Sequence, residues 1–226
     1  DVYKRQVPRL LGPFMREYPG IDISLDVGNR SEIVARLTRN EDDLYVMGVP
    51  PAGMDIRSHP FVENPIVAIA PVDHPLVGKK RIPLARLATE PFLLREPGSG
   101  TRMASERFLK SHGIRLNMRM ELGSNEAIKQ AVAGGLGLSL LSLHSLKAEL
   151  ARGEVAMLDV AELPIRRSWY IVHRNGKHLS VAARAFFSYL KAEGAHLQAE
   201  LQEAQAASHG GPHKSARGKR AHSTGR

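Results

Sequence analysis

The 226-residue chain has no cysteine, which removes disulfides, thiolate metal ligands and thiol nucleophiles from consideration. No apolar run approaches the roughly 20 residues that a membrane-spanning helix requires, and no secretory leader opens the chain. A cytoplasmic protein without a membrane partner is expected. Catalytic signatures are lacking too. Gly98-Ser99-Gly100 is not the Gly-x-Ser-x-Gly of a nucleophile elbow, and the glycine-rich stretch 97–101 lacks the Gly-Lys-Ser/Thr that completes a phosphate loop. His173 and His178, and farther on His209 and His213, stand without a carboxylate framework, so no metal site is expected. Asp42, Asp43 and Asp55 read as turn and strand-edge residues rather than as an acid–base pair, and Met118 and Met120 as core. Neither an enzyme nor a bound cofactor is expected.

Charge is unevenly distributed. Residues 204–226 carry five cations and no acid, out of a formal net charge of +9, which leaves +4 on residues 1–203. The segment 198–226 is read as a disordered basic tail, poor in the apolar residues that would order it. It is either solvated or a weak, salt-sensitive aid to nucleic-acid binding. At the other end, Asp1–Gln6 shows no periodicity and no initiator methionine precedes it. It is taken as a junction scar outside the fold.

Between these ends the chain alternates helices and strands. Val7, Leu10, Leu11, Phe14, Met15 and Tyr18 recur at helical spacing. Pro8 suits a first turn, Pro13 should kink the helix, and Pro19-Gly20 stops it. Ile21, Ile23, Leu25 and Val27 alternate with polar residues as a strand does. Asn29 with Glu32 resembles a capping box for a second helix, and Leu44–Met47 follows as a short buried strand. Helix, strand, helix, strand predicts an α/β lobe with parallel strands. Strands at Ile66–Ala70, Pro91–Arg95, Leu116–Leu122 and Leu136–Leu141, with helices at 102–112 and 144–152, repeat that logic in a second lobe. A strand at Val155–Val160 follows. Trp169–His173 is a further strand, and Ser180 caps a last helix. The reading is of two Rossmann-like lobes joined by two crossing strands near 66–70 and 167–173. It divides the chain into 7–67 (first lobe), 68–165 (second lobe) and 166–197 (return to the first).

Three helix starts follow strands, at Asn29-Arg30-Ser31, at Ser99-Gly100-Thr101-Arg102 and at Gly123-Ser124-Asn125. In the third, Ser124 or Asn125 caps a helix with Ala127, Ile128, Ala131 and Val132 inward, closed by Gly134-Gly135. Each start offers backbone N–H groups and a positive dipole end, and two add an arginine; Arg95 adds another fork. Singly, each is an ordinary capped helix. Converging on one cleft, they suit a carboxylate or phosphate.

Pro8-Arg9-Leu10-Leu11, Tyr18-Pro19-Gly20, Gly28-Asn29 and Asp43-Leu44, followed by His74-Pro75-Leu76, 96–102 and Gly134-Gly135-Leu136-Gly137, resemble the effector-binding domain of LysR-type transcriptional regulators over residues 7–195. The segments 40–48 and 121–132 look most like the Calvin-cycle (RuBisCO-operon), CbbR-like group. The resemblance implies a type 2 periplasmic-binding-protein-like fold that senses a ligand and oligomerises, as part of a homodimer or homotetramer. It implies DNA binding only through an N-terminal helix-turn-helix that this chain lacks, and control of carbon-fixation genes. It also implies a first strand ahead of Val7, absent here. The effector would be a small anion: a sugar phosphate, phosphoenolpyruvate or NADPH. The family's pocket maps onto Asn29, Arg30, Ser31, Ser99, Thr101, Arg102, Ser124 and Asn125. A solute-binding protein of a transport system is the alternative on the same architecture.

Overall fold

The computed structural model describes residues 2–209. Helix α1 spans Val2–Glu17 and continues through both Pro8 and Pro13. The helix therefore starts ahead of the expected position at Val7 and includes residues 2–6. Phe14 is fully buried and packs on Tyr18, Phe186 and Tyr189. Residues 21–27 are not a strand. Their alternation is real, with Ile21 and Ile23 half-buried, but no neighbour among the described residues offers a ladder. A groove of about 440 Å3 lies between this segment and Leu44–Val46, floored by α1 and the last helix.

Helix α2 (Arg30–Arg39) starts from a complete capping box: Asn29 accepts from the Glu32 N–H and the Glu32 carboxylate accepts from the Asn29 N–H. Strands β1 (Tyr45–Met47) and β2 (Ile56–Glu63) do not pair with each other. Strand β8 (Ser168–Arg174), returning from the second lobe, lies between them and is antiparallel to both. The parallel ladder expected in this lobe is thus replaced by an antiparallel one, because a distant strand supplies the central pairing. Leu37, Tyr45, Met47 and Val172 pack on one face of this sheet, and Val62, Trp169 and Ile171 with Leu190 and Leu197 on the other.

The second sheet has the order β5-β4-β6-β3-β7. It comprises β3 (Ile66–Ala70), β4 (Pro91–Arg95), β5 (Asn117–Leu122), β6 (Leu138–Ser142) and β7 (Ala156–Met157). Strand β4 is parallel to β5 and β6, while β3 is antiparallel to β6 and β7. Strand β3 shows why its sequence is apolar throughout. Ile66, Ala68 and Ala70 face one core and Val67 and Ile69 the other, as in a strand covered on both sides. Truncating Phe92 or Ile128, both fully buried, would cost about 2–5 kcal/mol. Strand β5 is the exposed edge, and Met118 and Met120, expected in the core, are 52% and 40% exposed there.

Helices α3 (Leu84–Leu87), α4 (Gly100–Ser111) and α5 (Asn125–Ala133) pack on this sheet. The predicted 144–152 helix is a 3-10 turn at Leu143–Ser145 followed by α6 (Lys147–Ala151). The predicted strand at 155–160 pairs only over β7 and an isolated bridge from Val160 to Ile82. Ser180 caps α7 (Val181–His209), its hydroxyl accepting from the Ala183 N–H. Helix α7 passes the expected end at 197. The stretch 195–208 is rich in Ala, Leu, Gln and Glu, strong helix formers. Leu197 is buried, and Gln198 accepts from the β2 N–H of Glu63. The rest of the expected tail lies outside the described residues. Two crossings join the sheets. They hydrogen-bond to each other through Asn64 N–H to the Arg167 carbonyl (2.7 Å) and a reciprocal pair between Ile66 and Ile165 (3.0 and 2.9 Å).

Candidate functional site

A cleft of about 290 Å3 opens between the two sheets. The carboxyl ends of β1 and β4 reach it, the position at which α/β lobes present ligand groups. Of the nine residues expected at a binding site, Asn29, Arg30, Arg95, Ser99, Thr101 and Asn125 line it. Ser31, Arg102 and Ser124 do not. Ser31 is turned to the loop ahead of α4: its N–H donates to the Gly98 carbonyl at 3.3 Å, and a Cβ on Gly98 would lie 2.7 Å from its hydroxyl. Gly98 has φ +86 besides, so only glycine fits this contact between lobes. Ser124 caps α5 through the Ala127 N–H at 3.1 Å.

Arg102 faces away from the cleft. Its guanidinium donates to Glu106 (2.7 Å), to Glu121 and to the Arg95 carbonyl (2.9 Å). These carboxylates raise its pKa further above the ordinary arginine value. Arg95, though buried at the cleft, is also engaged. It forks onto Glu96 at 2.7 and 2.9 Å and donates to Asn125 Oδ1 at 2.6 Å. These bonds join it to Glu96 and to the first residue of α5.

Arg30 is different. Its guanidinium donates to one carbonyl, that of Val49, at 3.3 Å, and it forms no ion pair among the described residues. It stands against the start of α4, with its Cβ 3.5 Å from where a Gly100 Cβ would be. There Ser99, 3% exposed, caps α4, and the Gly100 and Thr101 N–H groups have no partner within the helix. A cation beside two helix-start donors is an anion-binding arrangement.

Sequence reasoning passed over Asn64, Arg167 and Trp169, which complete the cleft. Arg167 bridges the lobes. It donates to the Asn64 carbonyl (3.1 Å), the Gly100 carbonyl (3.2 Å) and Thr101 Oγ1 (3.2 Å). The Asn64 amide is oriented by its surroundings: Oδ1 accepts from Arg167 Nη2 at 3.1 Å and from Trp169 Nε1, and Nδ2 donates to Ser142 at 2.5 Å. The only sequence signal was position, since Asn64 and Arg167 sit where the chain crosses between lobes. Three guanidiniums (Arg30, Arg95, Arg167) thus meet two carboxylates (Glu32, Glu96) at the cleft, and it is net positive.

No group of three or more metal-ligating side chains occurs among the described residues. Asp42 is held by Arg36, whose hydrogen bond lowers its pKa below the ordinary carboxylate value. Asp55 accepts from Asn175, and Asp43 lies 3.5 Å from Lys177. His173 stacks on His59 inside the first lobe. No helix of the described residues is long and apolar enough to cross a membrane.

Fold and cleft together define a two-lobed α/β domain of the type 2 periplasmic-binding architecture, built to hold a small ligand between its lobes. The chain belongs to the LysR substrate binding domain family, which matches residues 1–195. It is 53% identical over 184 residues to the HTH-type transcriptional activator CmpR of Synechocystis sp. PCC 6803, covering 81% of this chain and 60% of that protein. It is 50% identical over 189 residues to the RuBisCO operon transcriptional regulator of Acidithiobacillus ferrooxidans, covering 84% and 61%. The chain spans about three-fifths of the length of these relatives. Among solved structures, the Synechocystis PCC6803 CcmR regulatory domain in complex with 2-PG superposes with a TM-score of 0.82 at 50% identity, over 84% of this chain and 92% of that one. Both sequence relatives are named as regulators of transcription, and neither as a solute-binding protein of a transport system.

Proposed function

We propose that this chain is the effector-sensing and oligomerising part of a LysR-type transcriptional regulator that controls carbon-fixation genes in response to a small phosphorylated acid. The observation that carries the reading is Arg30, a cation without an ion pair among the described residues, set against the start of α4 in the cleft between the lobes. At about 290 Å3 the cleft suits an effector of the size of phosphoenolpyruvate or 2-phosphoglycolate. A whole dinucleotide such as NADPH exceeds it. The 2-PG held by the half-identical CcmR domain has the same chemistry. Binding would act by favouring one arrangement of lobes or subunits over another, without turnover. DNA contact would come from a helix-turn-helix outside this chain, in a cytoplasmic homodimer or homotetramer. The relatives at 53% and 50% identity, a CmpR activator and a RuBisCO operon regulator, support that setting.

Isothermal titration of 2-phosphoglycolate and phosphoenolpyruvate into the wild-type domain tests this directly. Arg30→Ala should weaken binding about tenfold, ~1.4 kcal/mol. Undiminished affinity in that variant would remove Arg30 from the site, and no binding of either anion would overturn the anion-sensing reading.

A further inference from the structure

The crossings form a ribbon with two faces, and the effector cleft uses only one of them. Asn64 and Trp169 point into the cleft, whereas their chain neighbours Glu63 and Pro65, and Ser168 and Tyr170, line a separate cavity of about 620 Å3 behind it. This alternation is the period of an extended strand, so the two cavities lie on opposite sides of one ribbon. Arg167 alone borders both. The rear cavity is larger than the cleft, and its floor is apolar, with Val67, Leu143, Val160 and Leu163.

Its rim is basic. Lys79 and Arg166 border it, and neither has a side-chain hydrogen bond or ion pair among the described residues. Lys80 is 3.8 Å from Asp159, with a side chain 70% exposed. Glu63 and Asp159 are the acids facing these cations. An apolar floor under unpaired cations selects a ligand with an apolar or aromatic body and an acidic group.

We propose that this cavity is a second ligand site, taking an amphipathic organic anion, behind the hinge and separate from the effector cleft. The site does not depend on what the cleft binds. The probe is 1-anilinonaphthalene-8-sulfonate, an aromatic sulfonate whose fluorescence reports transfer to apolar surroundings. Saturable binding to the folded domain is expected. The double variant Lys79→Glu/Lys80→Glu, at two exposed positions, should raise the Kd at least about fivefold by reversing charge at the rim. Arg30→Ala should leave it within about twofold, because that change falls in the other cavity. Equal melting temperatures would show that the double variant keeps its fold. Non-saturable binding, an unchanged Kd in the double variant, or equal weakening by Arg30→Ala would each overturn the proposal. A cleft that failed to bind 2-phosphoglycolate would leave these readouts intact.

Discussion

Four arginines show how little residue type says about role. Arg30, Arg95, Arg102 and Arg167 are chemically identical, yet their partners separate them. Arg102 is held by Glu106 and Glu121 on the outer side of α4. Arg95 forks onto its own neighbour Glu96. Arg167 ties one lobe to the other, and Arg30 forms no ion pair among the described residues. Arg102→Ala is therefore expected to leave 2-phosphoglycolate affinity within about twofold, in contrast to the loss in Arg30→Ala. It should lower stability by no more than about 1 kcal/mol, since its ion pairs are partly exposed. Titration and urea denaturation of the two variants side by side check both halves. A larger affinity loss in Arg102→Ala than in Arg30→Ala would reverse these assignments.

At the scale of elements, helix α5 shows a polar residue inside an apolar stripe. The inward positions are Asn125, Ile128, Lys129 and Val132, spaced by three, four and seven. Ala127, expected inward, is exposed. Lys129 is 0% exposed, and its ammonium meets Glu149 at 2.8 Å, the Ser145 carbonyl at 3.1 Å and Glu126 at 2.9 Å. It joins α5, which starts at the cleft, to α6. Lys129→Ala should cost about 3–5 kcal/mol in chemical denaturation, because it leaves the buried Glu149 carboxylate with only Arg152, 3.7 Å away and itself half exposed. Adding Glu149→Leu should recover part of that loss, and no recovery would show that the cost is packing alone. The same helix closes through the expected glycine pair, with the left-handed conformation at the second member. Gly134 has φ −77, and Gly135, at φ +79, turns the chain so that Leu136 N–H reaches the Ala131 carbonyl at 3.0 Å.

Helix α7 covers a histidine pair on the first sheet. His59 and His173 stack on each other, and Phe187 of α7 packs edge-on to both. Burial, then the neighbouring His173, Lys191 and Arg57, hold the His59 pKa below its ordinary 6.5. The unfolded chain then binds this proton more readily than the folded one. Stability should fall as pH drops through the range just below 6.5, and above it this group contributes nothing. Denaturation midpoints at about pH 7.5 and about pH 5 should differ less in His59→Phe than in the wild type. An unchanged difference would assign the pH dependence to other groups.

For the molecule as a whole, the contacts that join the two lobes include the paired crossings, the Ser31–Gly98 bond, the Arg167 bridge, and His144, whose ring hydrogen-bonds the Glu63 carbonyl at 2.7 Å and stacks on Trp169. Arg167→Ala removes the bridge without touching either core. It should weaken 2-phosphoglycolate binding about tenfold and speed amide exchange at Asn64 and Ile66, whose N–H groups bond the opposite crossing. Unchanged exchange there would mean that the crossings hold the lobes without Arg167.

What the sequence determined by itself was local. The capping box at Asn29, the serine cap at 180, a cap at Ser124 or Asn125 and strand Pro91–Arg95 follow from spacing and from the backbone needs of helix ends, and the structure gives the α5 cap to Ser124. The starts of α4 and α5 follow strands β4 and β5 and so lie at one end of the second sheet, which accounts for Ser99, Thr101 and Asn125 at the cleft; Asn29 and Arg30 line it too, although no strand precedes their helix. The tertiary structure decided everything that depends on partners far apart in the chain. It put β8 between β1 and β2, left 21–27 without a ladder, sent Arg102 outward, and brought Asn64 and Arg167 together across 103 positions. Periodicity says which face of an element is apolar, but only the assembled lobes determine which charge meets another and which one faces the ligand.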